Sequence, residues 1–154
     1  MKNEKKQMKQ IFLTDDDADD CLMFSEALQE IYNEDEASLT ITNDGVKLME
    51  VLHETVPPPP EVIFLDLNMP RKNGFECLQE IRNNPKLKDI PVVIFSTSSN
   101  NDIVNLTYQQ GANFYICKPQ SYPLLKKTLA FVLSFDPKKM GRQPLREKFV
   151  INVA

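Results

Sequence analysis

The chain has 154 residues, 42% of them hydrophobic, and a formal net charge of −4. This length allows one domain with its own core but excludes two domains of ordinary size. Residues 1–9 carry four Lys and one Glu, a net +3, and residues 136–154 carry five basic and two acidic side chains, also +3, which leaves −10 for the rest. We therefore expect a basic N-terminal extension (1–9), an acidic domain (10–135) and a basic C-terminal tail (136–154).

Cysteine spacing and hydropathy exclude several classes of protein. The three cysteines are far apart in sequence, so neither a disulfide framework nor a zinc site is indicated. The N-terminal lysines precede an apolar run of only three residues, Ile11 to Leu13, which is too short for a signal peptide or a membrane span. Lysines at chain ends are commonly solvated. We expect a cytoplasmic protein whose partners include neither nucleic acid nor membrane.

Short apolar segments alternate five times with segments of helical periodicity, which is typical of βα units and of a parallel sheet covered by helices on both faces. The predicted strands are Gln10 to Thr14, Leu39 to Asn43, Val62 to Leu67, Val92 to Ser96 and Asn113 to Cys117. The predicted helices are Ala18 to Tyr32, Gly45 to His53, Gly74 to Asn83, Asn101 to Gln110 and Ser121 to Ser134. In the first helix, the spacing predicts one inward stripe formed by Ala18, Cys21, Leu22, Leu28 and Tyr32.

Two segments outside these elements have distinctive composition. The four prolines Pro57 to Pro60 predict a stiff, extended connector into the third strand. Near the end of the chain, residues 149–153 are strand-like. This last segment either frays or pairs with a sheet edge or with a second subunit.

Polar side chains follow four of the predicted strands where each strand ends. Asp15, Asp16 and Asp17 follow the first strand, Asp66 ends the apolar part of the third, Ser96 closes the fourth and Lys118 follows the fifth. The carboxyl ends of parallel strands share one edge of the sheet, so these groups are expected to converge. Clustered carboxylates repel each other unless a cation neutralises them. Mg²⁺, which binds through one or two carboxylates and accepts phosphate oxygens, suits such a cluster best.

This combination of residue types predicts phosphoryl chemistry. Beside a metal ion, Asp66 can act as a nucleophile toward phosphorus, and the Ser96 hydroxyl and Lys118 ammonium can bind oxygens of the resulting phosphoryl group. Taken singly, Asp16 could be a helix cap, Ser96 a strand-end hydroxyl and Lys118 a surface lysine. Their occurrence together at successive strand ends favours a shared site.

The stretch from Gln10 to Ser134 resembles the receiver domains of two-component response regulators. The resemblance is carried by the segment Asp66-Leu67-Asn68-Met69-Pro70, by Gly74 after it, by the acidic pair Asp15 and Asp16, and by Lys118-Pro119. It implies an α/β fold of flavodoxin-like type, a (βα)5 three-layer sandwich with a five-stranded parallel sheet in the order 2-1-3-4-5.

The resemblance also implies a role for each site residue. Asp66 would be the phosphoacceptor, with Ser96 and Lys118 assisting the transfer. Asp16, Asp66 and the Asn68 main-chain carbonyl would bind Mg²⁺ directly, and Asp15 would bind it through water. Ser96 and Tyr115 would form a switch in which the ring turns inward when the hydroxyl moves toward the phosphoryl group. The peptide bond before Pro119 would be cis.

The implied function is that of a single-domain response regulator, similar to those associated with bacteriophytochromes. It would accept a phosphoryl group on Asp66 from a histidine kinase or a histidine phosphotransfer protein, and would assist its own phosphorylation and dephosphorylation rather than act as an enzyme on other substrates. Its output would be a downstream protein that binds the fourth helix, fifth strand and fifth helix, or a change in self-association such as a homodimer. Thr97 stands where many members of the family have a smaller residue beside the phosphate, which would reduce the access of water and of small phosphodonors and so affect the lifetime of the phosphorylated form.

A rival interpretation is a Mg²⁺-dependent phosphohydrolase with an aspartyl-phosphate intermediate. Such enzymes often carry a second carboxylate two residues after the nucleophile, and this chain has Asn68 there. The sequence also lacks an inserted segment that would form a cap over a substrate pocket. We therefore favour the switch.

Overall fold

The computed structural model describes residues 8–153, so the predicted N-terminal extension lies outside the described residues except for its last two positions. The strands are β1 (Lys9–Thr14), β2 (Ala37–Thr42), β3 (Val62–Leu65), β4 (Val92–Ser96) and β5 (Phe114–Cys117). The helices are α1 (Ala18–Ile31), α2 (Gly45–Thr55), α3 (Gly74–Asn83), α4 (Asn101–Gln109), α5 (Tyr122–Leu133), α6 (Pro137–Gly141) and α7 (Arg146–Phe149). Within residues 8–153, no helix is both long enough and apolar enough to cross a bilayer.

All five strands are parallel, and their order in the sheet is β2-β1-β3-β4-β5. This confirms the predicted order. Two separate apolar clusters pack on the two faces of the sheet, one involving α2, α3 and α4 and the other involving α1 and α5. Because both faces are covered, the central strands β3 and β4 are buried along their whole length, as expected for parallel sheets. The three-layer sandwich is therefore also confirmed.

Polar residues in the loops that follow the strands cap the first turns of the next helices. Side chains of Asp17, Asp44, Asn73, Asn100 and Ser121 each accept a main-chain N–H in the first turn of α1 to α5, respectively. At α3 the arrangement is reciprocal, because the Glu76 side chain accepts a hydrogen bond from the Asn73 N–H. These caps fix where each helix begins relative to the strand ends.

The inward face of α1 differs from the predicted stripe. Its buried residues are Cys21, Phe24, Ala27 and Leu28, whereas Leu22 is 59% exposed. Phe24 packs edge-on against Phe64 and Phe95, with ring centroids 5.0 and 5.6 Å away. A stripe through Phe24 satisfies the helical period together with Cys21 and Leu28, and Leu22 then lies on the outer flank of the helix.

The proline predictions also need correction. The connector before β3 is not uniformly extended, because the bonds Val56-Pro57 and Pro57-Pro58 are cis. Within the described residues these are the cis bonds, so the bond before Pro119 is trans rather than cis. Both isomers are accessible to a bond that precedes proline, which is why sequence alone does not decide between them.

The C-terminal segment folds back onto the sheet edge formed by β5. Val150 forms a parallel bridge with Tyr115, and the Ile151 N–H donates to the Tyr115 carbonyl at 2.9 Å. Phe149 is fully buried and its ring lies edge-on to the Tyr108 ring, 5.0 Å between centroids. Of the alternatives for this segment, pairing with a sheet edge of the same chain is the one the structure adopts.

Candidate functional site

The register of the sheet brings the strand-end residues side by side. Thr14 pairs with Leu65, so Asp15 and Asp66 follow neighbouring strands at the same level, and the Asp66 N–H donates to the Thr14 carbonyl at 2.9 Å. On the other side, the Lys118 N–H donates to the Ser96 carbonyl at 2.8 Å. The main chain itself therefore produces the convergence that the sequence predicted.

Three carboxylates form a cluster at this edge. Asp15, Asp16 and Asp66 each place a carboxylate oxygen within 4.8 Å of the others. Asp15 and Asp66 are buried, whereas Asp16 is exposed and forms the solvent side of the cluster. Asp15 Oδ1 accepts the Asp17 N–H at 3.0 Å, and Asp66 Oδ1 accepts the Leu67 N–H at 2.8 Å. Each buried carboxylate thus keeps one oxygen occupied by the main chain.

The Lys118 ammonium lies among the carboxylates and is only 8% exposed. Its Nζ is 2.7 Å from Asp15 Oδ2, 2.8 Å from Asp20 Oδ2 and 3.3 Å from Asp66 Oδ2. The pairing with Asp15 is a close ion pair rather than a well-aligned hydrogen bond, because Asp15 Oδ2 is buried with no hydrogen-bond partner of acceptable geometry. A single cation therefore faces several carboxylates.

Burial and charge shift the pKa values of these groups. Burial raises the pKa of Asp15 to about 6, and the nearby Asp66 charge adds to this, although Lys118 and the Asp17 N–H act in the opposite direction. For Lys118, burial alone would lower the pKa, but its contacts with Asp15 and Asp20 and the charge of Asp66 more than offset this, so the pKa is raised. The ammonium is charged at neutral pH. Its single positive charge does not neutralise the carboxylates of Asp15, Asp16 and Asp66 together.

The donor set fits a hard divalent cation. All three residues of the cluster offer carboxylate oxygens, which such ions prefer. Asp15 Oδ2 is ion-paired with Lys118 but accepts no hydrogen bond, so a metal-bound water could satisfy it. Asn68 lies two residues beyond Asp66 in the loop after β3, where it is exposed.

The predicted hydroxyl and aromatic positions lie next to each other beside the cluster. Ser96 is fully buried at the end of β4, and its Oγ accepts the Ser98 N–H at 3.2 Å. Tyr115 is also fully buried, and its hydroxyl donates to the Ser98 carbonyl at 2.7 Å. The two residues are thus connected through the β4–α4 loop. Thr97, which lies between Ser96 and Ser98 in this loop, is exposed.

Gly74 allows the loop after Asp66 to pack closely. Its N–H donates to the Leu67 carbonyl at 3.0 Å, and a Cβ at this position would lie 2.2 Å from the Asp66 carbonyl oxygen and 2.8 Å from the Leu67 Cα. Both atoms belong to the main chain and cannot move aside without displacing Asp66.

We predict that Gly74→Ala lowers the free energy of unfolding by about 1–3 kcal/mol, the usual range for overpacking, despite the better helix propensity of Ala. Gly141→Ala is the matched control, because nothing lies within 4 Å of a Cβ there. Urea unfolding of both variants checks this. Equal stabilities of the two variants would contradict the predicted clash.

One contact of the site was not predicted. Asp20, in the first turn of α1, pairs with Lys118 across 98 residues of sequence. Its position in the sequence could have indicated this contact. Asp20 follows the cap of α1 at Asp17 and precedes the inward-facing Cys21, so it lies at the end of the helix nearest the sheet edge. The residues that the sequence assigned to the site lie at this edge or in its loops, except Tyr115, which lies within β5 and reaches the β4–α4 loop through its hydroxyl. Their chemical roles remain predictions.

Comparisons with known proteins agree with this geometry. Residues 11–130 match the family model of the response regulator receiver domain. The response regulator Rcp1 of Synechocystis sp. (strain ATCC 27184 / PCC 6803 / Kazusa) is 37% identical over 139 residues, which cover 88% of this chain and 93% of Rcp1.

Solved structures give the same result. The crystal structure of the Mn²⁺-bound form of Rcp1 superimposes with a TM-score of 0.73 at 37% identity, covering 82% of this chain and 93% of that one. The phosphorylated cyanobacterial phytochrome response regulator RcpA superimposes with a TM-score of 0.74 at 34% identity, covering 81% and 91%. The extent of these matches, together with the carboxylate cluster, shows that the chain belongs to the response regulator receiver domain family and is a signalling switch of two-component systems.

Proposed function

We propose that the chain accepts a phosphoryl group on Asp66, with Mg²⁺ bound by the neighbouring carboxylates, and that this modification switches its contacts. The observation that carries the proposal is the cluster of Asp15, Asp16 and Asp66 with the Lys118 ammonium between them. This arrangement offers a nucleophile, oxygen ligands for a cation and a positive charge for phosphoryl oxygens within one pocket.

We assign the chemistry as follows. Asp66 attacks phosphorus as a carboxylate, a P–O bond forms and the bond to the donor's leaving atom breaks; the electron pair stays on that atom, which takes up a proton from water. Asp15, Asp16, Asp66 and the Asn68 carbonyl would hold Mg²⁺, which when bound neutralises phosphoryl charge. Lys118 pairs with phosphoryl oxygen as a point charge, and the Ser96 hydroxyl donates to another such oxygen.

The donor that we propose is a phosphohistidine on a histidine kinase or a histidine phosphotransfer protein. Membership of the receiver family and the likeness to RcpA, a phytochrome response regulator, support a kinase of the phytochrome type. We place the exchange in the cytoplasm.

The output that we propose begins at Ser96 and Tyr115. New negative charge on Asp66 draws the Ser96 hydroxyl toward it, and the hydrogen bonds of Ser98 with both residues pass this movement to the β4–α4 loop. The result is altered binding of a downstream protein at α4, β5 and α5, or altered self-association into a homodimer. Sedimentation with and without beryllium fluoride separates these two outputs.

The proposed function is tested by incubating the protein with an acyl-phosphate donor and measuring its mass. We expect one acid-labile phosphoryl adduct in Mg²⁺ and none in EDTA, and peptide mapping should place it on Asp66. Steady hydrolysis of phosphomonoesters without a trapped adduct would instead support the phosphohydrolase, which no observation in the structure favours.

We also predict a pH dependence of Mg²⁺ binding. The pKa of Asp15 is raised from 3.8 to about 6, so the folded protein holds this proton more tightly than the unfolded chain does. Without metal, ionising Asp15 therefore makes the folded state less stable as pH rises from about 4 to 6. Mg²⁺ binding must displace the proton from Asp15, so the affinity for Mg²⁺ should increase with pH over this range and level off above it. Calorimetric titration from pH 5 to 8 measures this; an affinity independent of pH would contradict the assignment.

A further inference from the structure

Asp20 belongs neither to the carboxylate cluster nor to the predicted set of site residues, yet it makes one of the shortest contacts of Lys118. The distance from Nζ to Asp20 Oδ2 is 2.8 Å, against 3.3 Å to Asp66 Oδ2. Nζ is therefore drawn toward β1 and α1, away from the strand end that carries the phosphoacceptor.

The position of Asp20 is fixed by the start of α1. Its main-chain N–H donates to the side chain of Asp17, the N-cap residue, at 3.0 Å. Its side chain is 28% exposed, whereas that of Asp15 is fully buried. The two carboxylates that hold the ammonium on this side thus differ in their access to water.

An ammonium group has three donors, and three carboxylates surround this one: Asp15, Asp20 and Asp66. To follow phosphoryl oxygens that extend beyond Asp66, Nζ must move toward β3 and give up a contact on the α1 side. Releasing Asp15 would leave a fully buried carboxylate that water cannot reach and that depends on bound metal alone for positive charge, which is costly. Releasing Asp20 exposes a carboxylate that water can solvate, so this contact breaks first.

From this difference, and given the proposed function at Asp66, we propose that Asp20 is a positioning residue for Lys118. It holds the ammonium in a resting place while Asp66 is unmodified and competes with the phosphoryl group for the same cation. The negative charge of Asp20 also repels the incoming anion directly, which further weakens binding of the phosphoryl group. Asp20 thereby sets the equilibrium between the resting and the phosphorylated arrangement of the site.

The test is the affinity of the full chain for beryllium trifluoride, a phosphoryl mimic, measured by ¹⁹F NMR at saturating Mg²⁺. Asp20→Asn keeps the size of the side chain and removes its charge, and we expect it to increase the affinity about three- to ten-fold, the range for a partly exposed charged contact. Mg²⁺ affinity should fall slightly, because the site loses negative charge. Asp20→Glu restores a carboxylate and should return the affinity for the mimic toward the wild-type value.

Two controls isolate the contact. Asp19→Asn removes the same charge from the same helical turn at an exposed position, and we expect an affinity close to wild type. In a Lys118→Ala background, Asp20→Asn should have a clearly smaller effect on binding of the mimic than in wild type, because the residue that it positions is gone and only the direct repulsion between Asp20 and the anion is removed.

The outcomes are distinct. If wild type does not bind the mimic, the proposed function fails. If wild type binds but Asp20→Asn binds equally or more weakly, or Asp19→Asn has the same effect, the role of Asp20 is overturned. Unfolding curves of each variant identify any loss of affinity that comes from misfolding.

Discussion

Asp66→Asn is expected to abolish phosphorylation. The amide has nearly the same shape as the carboxylate and can keep its contact with the Leu67 N–H, but it lacks the negative charge that makes Asp66 a nucleophile. It also removes one of the three carboxylates of the cluster. We expect the adduct formed by an acyl-phosphate donor in Mg²⁺ to fall below detection, and Mg²⁺ affinity to fall at least ten-fold, as when a metal ligand or its supporting partner is lost.

The matched control for this variant is Asp17→Asn. Asp17 is exposed beside the cluster and caps α1, and asparagine is an equally good cap, so this variant should be phosphorylated at the wild-type rate. Intact-mass measurement over a time course compares the variants. An acid-labile adduct that persists in Asp66→Asn would show that another residue accepts the phosphoryl group.

Phe149→Ala is expected to lower the stability of the domain strongly. The ring is fully buried among Tyr108, Tyr115 and the cluster on the α2–α3–α4 side of the sheet. Truncating a buried phenylalanine usually lowers the free energy of unfolding by about 3–5 kcal/mol, and the edge-on ring pairs are part of that loss. Such a result would show that the C-terminal segment contributes to the core of the domain.

Leu145→Ala is the control for Phe149→Ala, since Leu145 lies in the same segment but is 70% exposed. Its effect should stay within about 0.5 kcal/mol. Urea unfolding followed by circular dichroism gives both values. If Phe149→Ala unfolds like wild type, the segment after α5 does not contribute to the stability of residues 10–135.

The sequence predicted the sheet and the edge of the site because both depend on local patterns. Buried parallel strands are short apolar runs, and the carboxyl ends of such strands meet at one edge, so Asp15, Asp66, Ser96 and Lys118 could be brought together without tertiary information. Strand order is not encoded in this way. The predicted order came from the resemblance to receiver domains.

Features that depend on tertiary packing were harder to predict from the sequence. The inward face of α1 was misplaced because Leu22 and Phe24 are both apolar and differ by two positions, so either one completes a stripe. The ion pair between Asp20 and Lys118 joins residues far apart in sequence and depends on the path of both side chains. Similarly, α6 and α7 are short and depend on docking, which no periodicity reveals. Met140 of α6 packs into the cluster on the α1 and α5 side, and Phe149 of α7 packs against Tyr108 and Tyr115.

The bridge between Tyr115 and Val150 has a consequence for aggregation. A parallel sheet ends in two strands with unpaired main-chain groups, and such edges can recruit strands from other molecules. On the β5 side, the Tyr115 carbonyl is already occupied by Ile151 of the same chain. A chain cut after Phe149 would present that edge to solvent beside an apolar surface, so the last residues protect against intermolecular β-pairing as well as completing the domain.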